Sequence, residues 1–256
     1  MENEIILSLK GISKHFGGLK VIEDISLEIS VGERIGLIGP NGAGKTTLFN
    51  MIAGDLLPSG GTISYLGRNI NSHPNYKRTD DGIVRTFQKN NLMMGLTVQE
   101  NLLLVLQRMN KKHNEWWKRS SRNNYASLYE SADSILDEWC LHEYSDRVVK
   151  DLSYGVQRQI EMILAIAGKP KLLLLDEPTA GMSQVETNQI IELINKLAKD
   201  VTIIMIEHDI EVLFGNTDRV IVLHSGRLIA DGSPEDVREN PQVKEIYMGK
   251  EGTVYA

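Results

Sequence analysis

A chain of 256 residues is long enough for one large domain or two closely joined ones, with a sizeable hydrophobic core. Hydrophobic residues make up 41% and charged residues 24%, the composition of a folded rather than a disordered protein, and 28 Lys and Arg against 34 Asp and Glu give a net charge of −6 that disfavours nucleic acid as the main partner. Apolar runs such as 102–106 and 172–175 fall far short of the ~18–20 residues that span a bilayer, the start MENEIILSLK lacks a secretory leader pattern, and the single cysteine, Cys140, rules out an internal disulfide, fits a reducing cytosol and leaves a structural zinc site unsupported.

The first thirty residues predict β-strands, ILSLKGISKHF and then VIEDISLEI, with Ile22, Ile25, Leu27 and Ile29 in a largely period-two pattern. Residues 33–38, ERIGLI, form a short, mostly apolar strand that runs into GPNGAGKTT and then into LFNMIAG, whose helical spacing stops at Gly54. A hairpin-like stretch follows at 61–66 and a strand near 82–87. Residues 97–140 turn helical, with TVQENLLLVLQ and YASLYESADSILDEWC both amphipathic. Between these helices Lys111, Lys112, Lys118, Arg119 and Arg122 surround Trp116 and Trp117. That stretch can touch phosphates or lipid headgroups, or be a solvated loop whose tryptophans anchor it. Strand and helix alternation returns with KLLLLD (171–176), a helix over 184–199, VTIIMI (201–206), RVIVLHSGRLIA (219–230) and a short helical tail. Neither a repeat nor a long linker is visible.

Residues 39–46 match G-x-x-x-x-G-K-[ST] and lie between a buried-type strand and a helix. Without Cβ atoms the glycines let successive backbone N–H groups approach phosphate oxygens, and the helix N-terminus favours an anion. The phosphate-binding candidates are Gly39, Pro40, Asn41, Gly42, Ala43, Gly44, Lys45, Thr46 and Thr47, with Lys45 reaching the β- and γ-phosphates and Thr46 offering its hydroxyl to Mg²⁺. KLLLLDEP supplies the carboxylates such a site needs at a strand's C-terminal end: Asp176 on the metal side and Glu177 as general base.

Motifs beyond these narrow the class. DLSYGVQRQIEMILAIA at 151–167 resembles the ABC ATPase signature LSGGQ, and with Gln88 in RTFQ, DEPTAG, and His208 in IMIEHD it follows that family's order over nearly the whole chain. The chain is thus identified as resembling an ABC transporter nucleotide-binding subunit. The resemblance implies an α/β fold: a RecA-like P-loop core with an antiparallel β subdomain over residues 1–90 and 168–256, and an α-helical signature subdomain over about 91–167. It implies ATP and Mg²⁺ as ligands, Phe16 stacking on adenine, Gln88 at the metal and attacking water, and His208 orienting the base at the γ-phosphate. It also implies that Leu152, Ser153, Tyr154, Gly155 and Val156 complete the site of a second subunit across a head-to-tail dimer. Tyr154 and Val156 depart from the signature, and Ser183 stands where many relatives carry aspartate.

GIVRTFQ, LTVQENLL, DEPTAGMSQVET and the terminal GRLIADGSPEDVRENPQVKEIYMG resemble, more narrowly, the ATP-binding subunits of bacterial branched-chain amino-acid importers. Related urea and carboxylate importers, or an exporter, share much of this wording. A soluble ABC ATPase of DNA repair or translation fits the acidic charge less well, and no N-K-x-D motif points to a GTPase. The implied partners are a second ATPase subunit, membrane permease subunits docked near 89–97 and, indirectly, a solute-binding protein, with no nucleic acid. The implied location is cytoplasmic, peripheral on the inner face of the cell membrane. No appended regulatory domain is expected after Tyr247.

Overall fold

The computed structural model describes residues 4–86, 92–109 and 126–248. Contacts divide the chain into two compact units, Met1–Arg85 with Lys171–Ala180 and Leu197–Ala256, and Thr86–Pro170 with Gly181–Lys196.

The first unit is built on two sheets. Strands β1 (Ile5–Phe16), β2 (Leu19–Ser30), β4 (Gly60–Tyr65) and β5 (Arg68–Asn69) form an antiparallel sheet in the order β2-β1-β4-β5. Ile22, Ile25, Leu27 and Ile29 are all buried, as the period-two pattern requires. The second sheet joins β3 (Arg34–Ile38), β6 (Ile83–Arg85), β7 (Leu172–Asp176), β8 (Thr202–Ile206), β9 (Arg219–His224) and β10 (Arg227–Gly232) in the order β10-β9-β3-β8-β7-β6. Its strands run parallel except β10, which folds back on β9 through Ser225 and Gly226, both at positive φ as a two-residue hairpin turn demands. Every residue of β7 and β8 is buried, which is why these strands read as unbroken apolar runs without alternation.

Helix α1 (Lys45–Ala53) buries Leu48, Phe49, Met51, Ile52 and Ala53 and stops at Gly54, whose φ of 87° and N–H bond to the Asn50 carbonyl make the left-handed cap expected there. Helix α2 (Asn75–Asp80) is short and without apolar period. It is fastened by Arg78, fully buried at 0% exposure, whose guanidinium donates to the carbonyls of Met51 (2.6 Å), Ile52 (2.8 Å), Ile70 (2.7 Å) and His73 (2.8 Å). Two of those carbonyls belong to the last turn of α1, so a single cation satisfies acceptors the helix leaves unpaired. Helices α7 (Ile210–Phe214), α8 (Pro234–Glu239) and α9 (Pro241–Met248) close the unit. Leu213, Val237 and Val243 share a small core with Ile38, the last residue before the glycine loop.

The second unit is helical: α3 (Val98–Met109), α4 (Ala126–Glu138), α5 (Tyr154–Ala167) and α6 (Gln184–Asn195). Leu102, Leu103 and Leu106 on α3, and Leu128, Ala132 and Leu136 on α4, form the buried stripes. The sequence division kept all of 168–256 with the core, whereas Gly181–Lys196 groups with the helical unit. The cause is local. Gln159 on α5 donates to Gln189 on α6 (2.8 Å), and Glu186 lies directly against Gly155.

Candidate nucleotide site

The glycine loop leaves β3 and enters α1, as its spacing implies. At Gly39, with φ of 152°, an added Cβ would stand 2.1 Å from the Leu223 carbonyl oxygen, so only glycine lets the loop turn against β9. The Ala43 N–H donates to the Pro40 carbonyl (3.1 Å), and the Gly226 N–H donates to the Ala43 carbonyl (3.1 Å). Asn41, Gly42 and Thr46 are exposed, Pro40 and Thr47 half-buried, and Gly44 precedes the first helical residue. Lys45 Nζ donates to the carbonyls of Gly39 (2.6 Å) and Pro40 (3.2 Å). Burial pushes its amine below the ordinary value, while the charges of Glu177 and Asp176 pull it back up. A half-buried cation bonded to carbonyl oxygens gains from an arriving phosphate.

The next groups come from β7 and β8, which lie side by side in the order β3-β8-β7. Asp176 ends β7 at 2% exposure, and its Oδ2 accepts from Arg85 Nη2 at 2.7 Å. Arg85, from β6, also reaches Asn50 on α1 and Asp55 at 3.3 Å, tying Asp176 to the end of that helix. Glu177 sits at φ of +50°, a left-handed conformation that costs a non-glycine residue about 1–3 kcal/mol. Its Oε1 meets Nε2 of His208 at 2.8 Å, pairing the two residues expected to act on water. Beside them the buried carboxylate of Glu207 accepts from the Thr179 N–H (2.9 Å) and hydroxyl (2.7 Å) and from the His208 N–H (3.2 Å). Arg85 and Glu207 escaped the sequence reading. Only the juxtaposition of IVR, LLLLDEPT and IMIEHD in one sheet reveals them.

Phe16 ends β1 with 49% of its surface exposed and Lys14 Nζ 5.0 Å from its ring centroid, so this phenyl is not part of the core. Gln88, the basic tryptophan stretch around Trp116 and Trp117, and residues 89–91 of the docking segment lie outside the described residues.

In the helical unit Leu152 is buried and Ser153 caps α5, its hydroxyl accepting from the Val156 N–H (3.4 Å). Tyr154 is 46% exposed and Gly155 is buried. At Gly155 an added Cβ would lie 2.1 Å from Glu186 Oε1. Ser183, the other departure, caps α6 in a capping box. Its N–H (2.9 Å) and hydroxyl (2.7 Å) donate to Glu186 Oε2 and hold that carboxyl below its ordinary value.

A glycine loop between a buried strand and a helix, with an acid pair on the next strand but one of a parallel sheet, defines a P-loop nucleotide-hydrolysing fold. Residues 22–180 match the ABC transporter family, and residues 227–253 match the branched-chain amino acid ATP-binding cassette transporter family. The chain is 36% identical over 250 residues to the high-affinity branched-chain amino acid transport ATP-binding protein BraF of Pseudomonas aeruginosa, covering 96% of this chain and 98% of that protein. It is 37% identical to the corresponding protein LivG of Escherichia coli, with the same coverage. Among solved structures, an ABC transporter ATP-binding cassette in its ADP conformation superposes with a TM-score of 0.83 at 31% identity, covering 96% of this chain and 99% of that one. A nucleotide-free cassette gives 0.82 at 30%, covering 96% and 100%. The chain belongs to the ABC transporter family, as one of its ATP-binding and ATP-hydrolysing cassettes.

Proposed function

We propose that this ATPase powers a membrane importer of branched-chain amino acids. The observation that carries the reading is the similarity to BraF and LivG over 96% of the chain. The separate match of residues 227–253 to the branched-chain cassette family supports it. No helix among the described residues is long and apolar enough to cross a membrane, so in this reading the chain works from the cytoplasmic face through permease subunits.

In the proposed mechanism Phe16 stacks on adenine, the N–H groups of 39–47 and the Lys45 ammonium take the phosphates, and catalysis is mostly positioning and charge stabilisation. Glu177 accepts a proton from water as the water oxygen attacks the γ-phosphorus and ADP departs. His208 holds Glu177 in place and donates to the γ-phosphate. The Thr46 hydroxyl and the buried Asp176 carboxylate, with Gln88, are hard oxygen donors of the kind Mg²⁺ takes alongside phosphates and water, and they would hold it. When bound, Mg²⁺ neutralises phosphate charge. Leu152, Ser153, Tyr154, Gly155 and Val156 serve the nucleotide of a second cassette, so ATP closes the dimer and hydrolysis reopens it.

The test is to purify the tagged chain with ATP from gently solubilised native membranes, identify its companions, and assay the assembly's ATPase with solute-binding protein and solute. A permease pair and stimulation by leucine, isoleucine or valine support the reading. Stimulation by urea or a carboxylate instead moves the solute, and ribosomal or DNA-repair companions without a permease overturn it.

A further inference from the structure

The motifs give Glu207 no role of its own, yet it is a carboxylate at 6% exposure directly before His208 in IMIEHD. Its Oε1 takes two donors from Thr179, the backbone N–H at 2.9 Å and the hydroxyl at 2.7 Å, and its Oε2 takes the His208 N–H at 3.2 Å. The Glu177 N–H donates to the Ile206 carbonyl at 2.9 Å, and the Glu177 and His208 side chains meet at 2.8 Å. These bonds close a ring. It runs from the Glu177 carboxylate through His208 to Glu207, across to Thr179 and back along two residues of chain.

We propose that Glu207 is a positioning residue for ATP hydrolysis, clamping the loop that carries Glu177 to the loop that carries His208 so that base and histidine stay in register.

The chemistry of the clamp requires a carboxylate. Two oxygens without hydrogens can accept from both loops at once, whereas an amide has one oxygen, and its NH₂ must then face either the Thr179 donors or the His208 N–H. The arrangement is not a cheap way to fill space. Burial raises the Glu207 carboxyl above its ordinary value and the nearby Glu177 charge raises it further, while Thr179 and His208 lower it. The ring also supports the left-handed φ of +50° at Glu177, a conformation that persists only where the surroundings hold it. The inference rests on the ATPase reaction alone and is independent of what is transported.

The experiment compares the full-length chain with Glu207→Gln, Thr179→Val, Thr179→Ser and the double variant Glu207→Gln/Thr179→Val. Steady-state ATP hydrolysis, binding of a fluorescent ATP analogue and thermal unfolding are read on each. Glu207→Gln should lower kcat roughly 10- to 100-fold, with KM and analogue affinity within about 2-fold of the parent. Thr179→Val should lose less, Thr179→Ser should recover the parent rate, and the double variant should be no slower than Glu207→Gln alone. Unchanged kcat per folded molecule with only a lower melting temperature overturns the proposal, as does a KM increase that matches the fall in kcat, or additive losses in the double variant. Should Glu207→Gln fail to fold, equal rates for Thr179→Val and Thr179→Ser overturn it as well.

Discussion

The carboxylate of Glu177 is held 2.8 Å from His208 Nε2, and this one contact concentrates the chemistry expected of the site. Glu177→Gln keeps the shape and removes the proposed base. ATP binding should stay near that of the parent while phosphate release at saturating ATP falls by at least about 100-fold, the usual reach of general-base catalysis. Substantial residual turnover would mean that another group takes the proton. Arg78 carries a different kind of weight. Its side chain is fully buried, burial lowers its guanidinium to about 10, and five carbonyls converge on it, those of Met51, Ile52, Ile70, His73 and, at 3.4 Å, Asn71. Arg78→Met leaves those acceptors without their donor and should cost about 3 kcal/mol of stability, read as a lower urea midpoint for the full chain. Unchanged midpoints would show that water or a relaxed backbone takes over the carbonyls. The contrast between these residues marks what the sequence can reveal. Gly39, Lys45, Asp176 and Glu177 are legible as candidates because phosphate chemistry demands particular residue types at short, fixed spacing, and His208 is legible through the resemblance to the ABC family. Arg78 bonds across 27 residues, Glu207 across 28, and Arg85 reaches Asp176 across 91, and no local pattern announces such partners.

Elements were legible in proportion to the strength of their period or cap. The parallel strands β7 and β8 are apolar throughout, and α1 ends on its glycine, so their limits fall within a residue or two of expectation. Helix α2, NYKRTD, has no apolar face and exists because Arg78 ties it down. Helix α6 ends at Asn195, short of the expected 199. The grouping of α6 with α5 depends on a contact that sequence cannot express, Glu186 packed on Gly155 while accepting from Ser183. That contact predicts coupled substitutions. Ser183→Ala removes the cap of α6 and should lower the melting temperature by about 2–4 °C. Gly155→Ala has to push the Glu186 carboxylate aside and so destroys the same capping box. Because both changes act through Glu186, the double variant should unfold at a temperature close to that of Gly155→Ala alone, and a fully additive drop would separate the two features.

At the scale of the whole molecule the motif order runs through nearly the entire chain, which is why the family could be read from the sequence, while the solute class came only from the narrower resemblance to branched-chain amino-acid importers, since no residue of the chain is expected to touch the solute. The same order predicts an assembly. In the proposed mechanism the glycine loop and the signature serve different nucleotides, so one chain holds two half-sites and ATP should drive association. With Glu177→Gln blocking turnover, sedimentation should show a monomer without nucleotide and a dimer with ATP, or an ATP-dependent complex with a homologous cassette if the natural pair is mixed. Tyr154 offers a way to break that seam without unfolding the chain. It is 46% exposed at the start of α5, where an acidic side chain suits the helix dipole, so Tyr154→Glu should fold and bind ATP through its own glycine loop. In the proposed head-to-tail dimer the same carboxylate would face the partner's phosphates, and charge repulsion should abolish the ATP-driven dimer in the Glu177→Gln background. A Tyr154→Glu chain that still dimerises with ATP would remove the signature from the interface and leave association to some other surface.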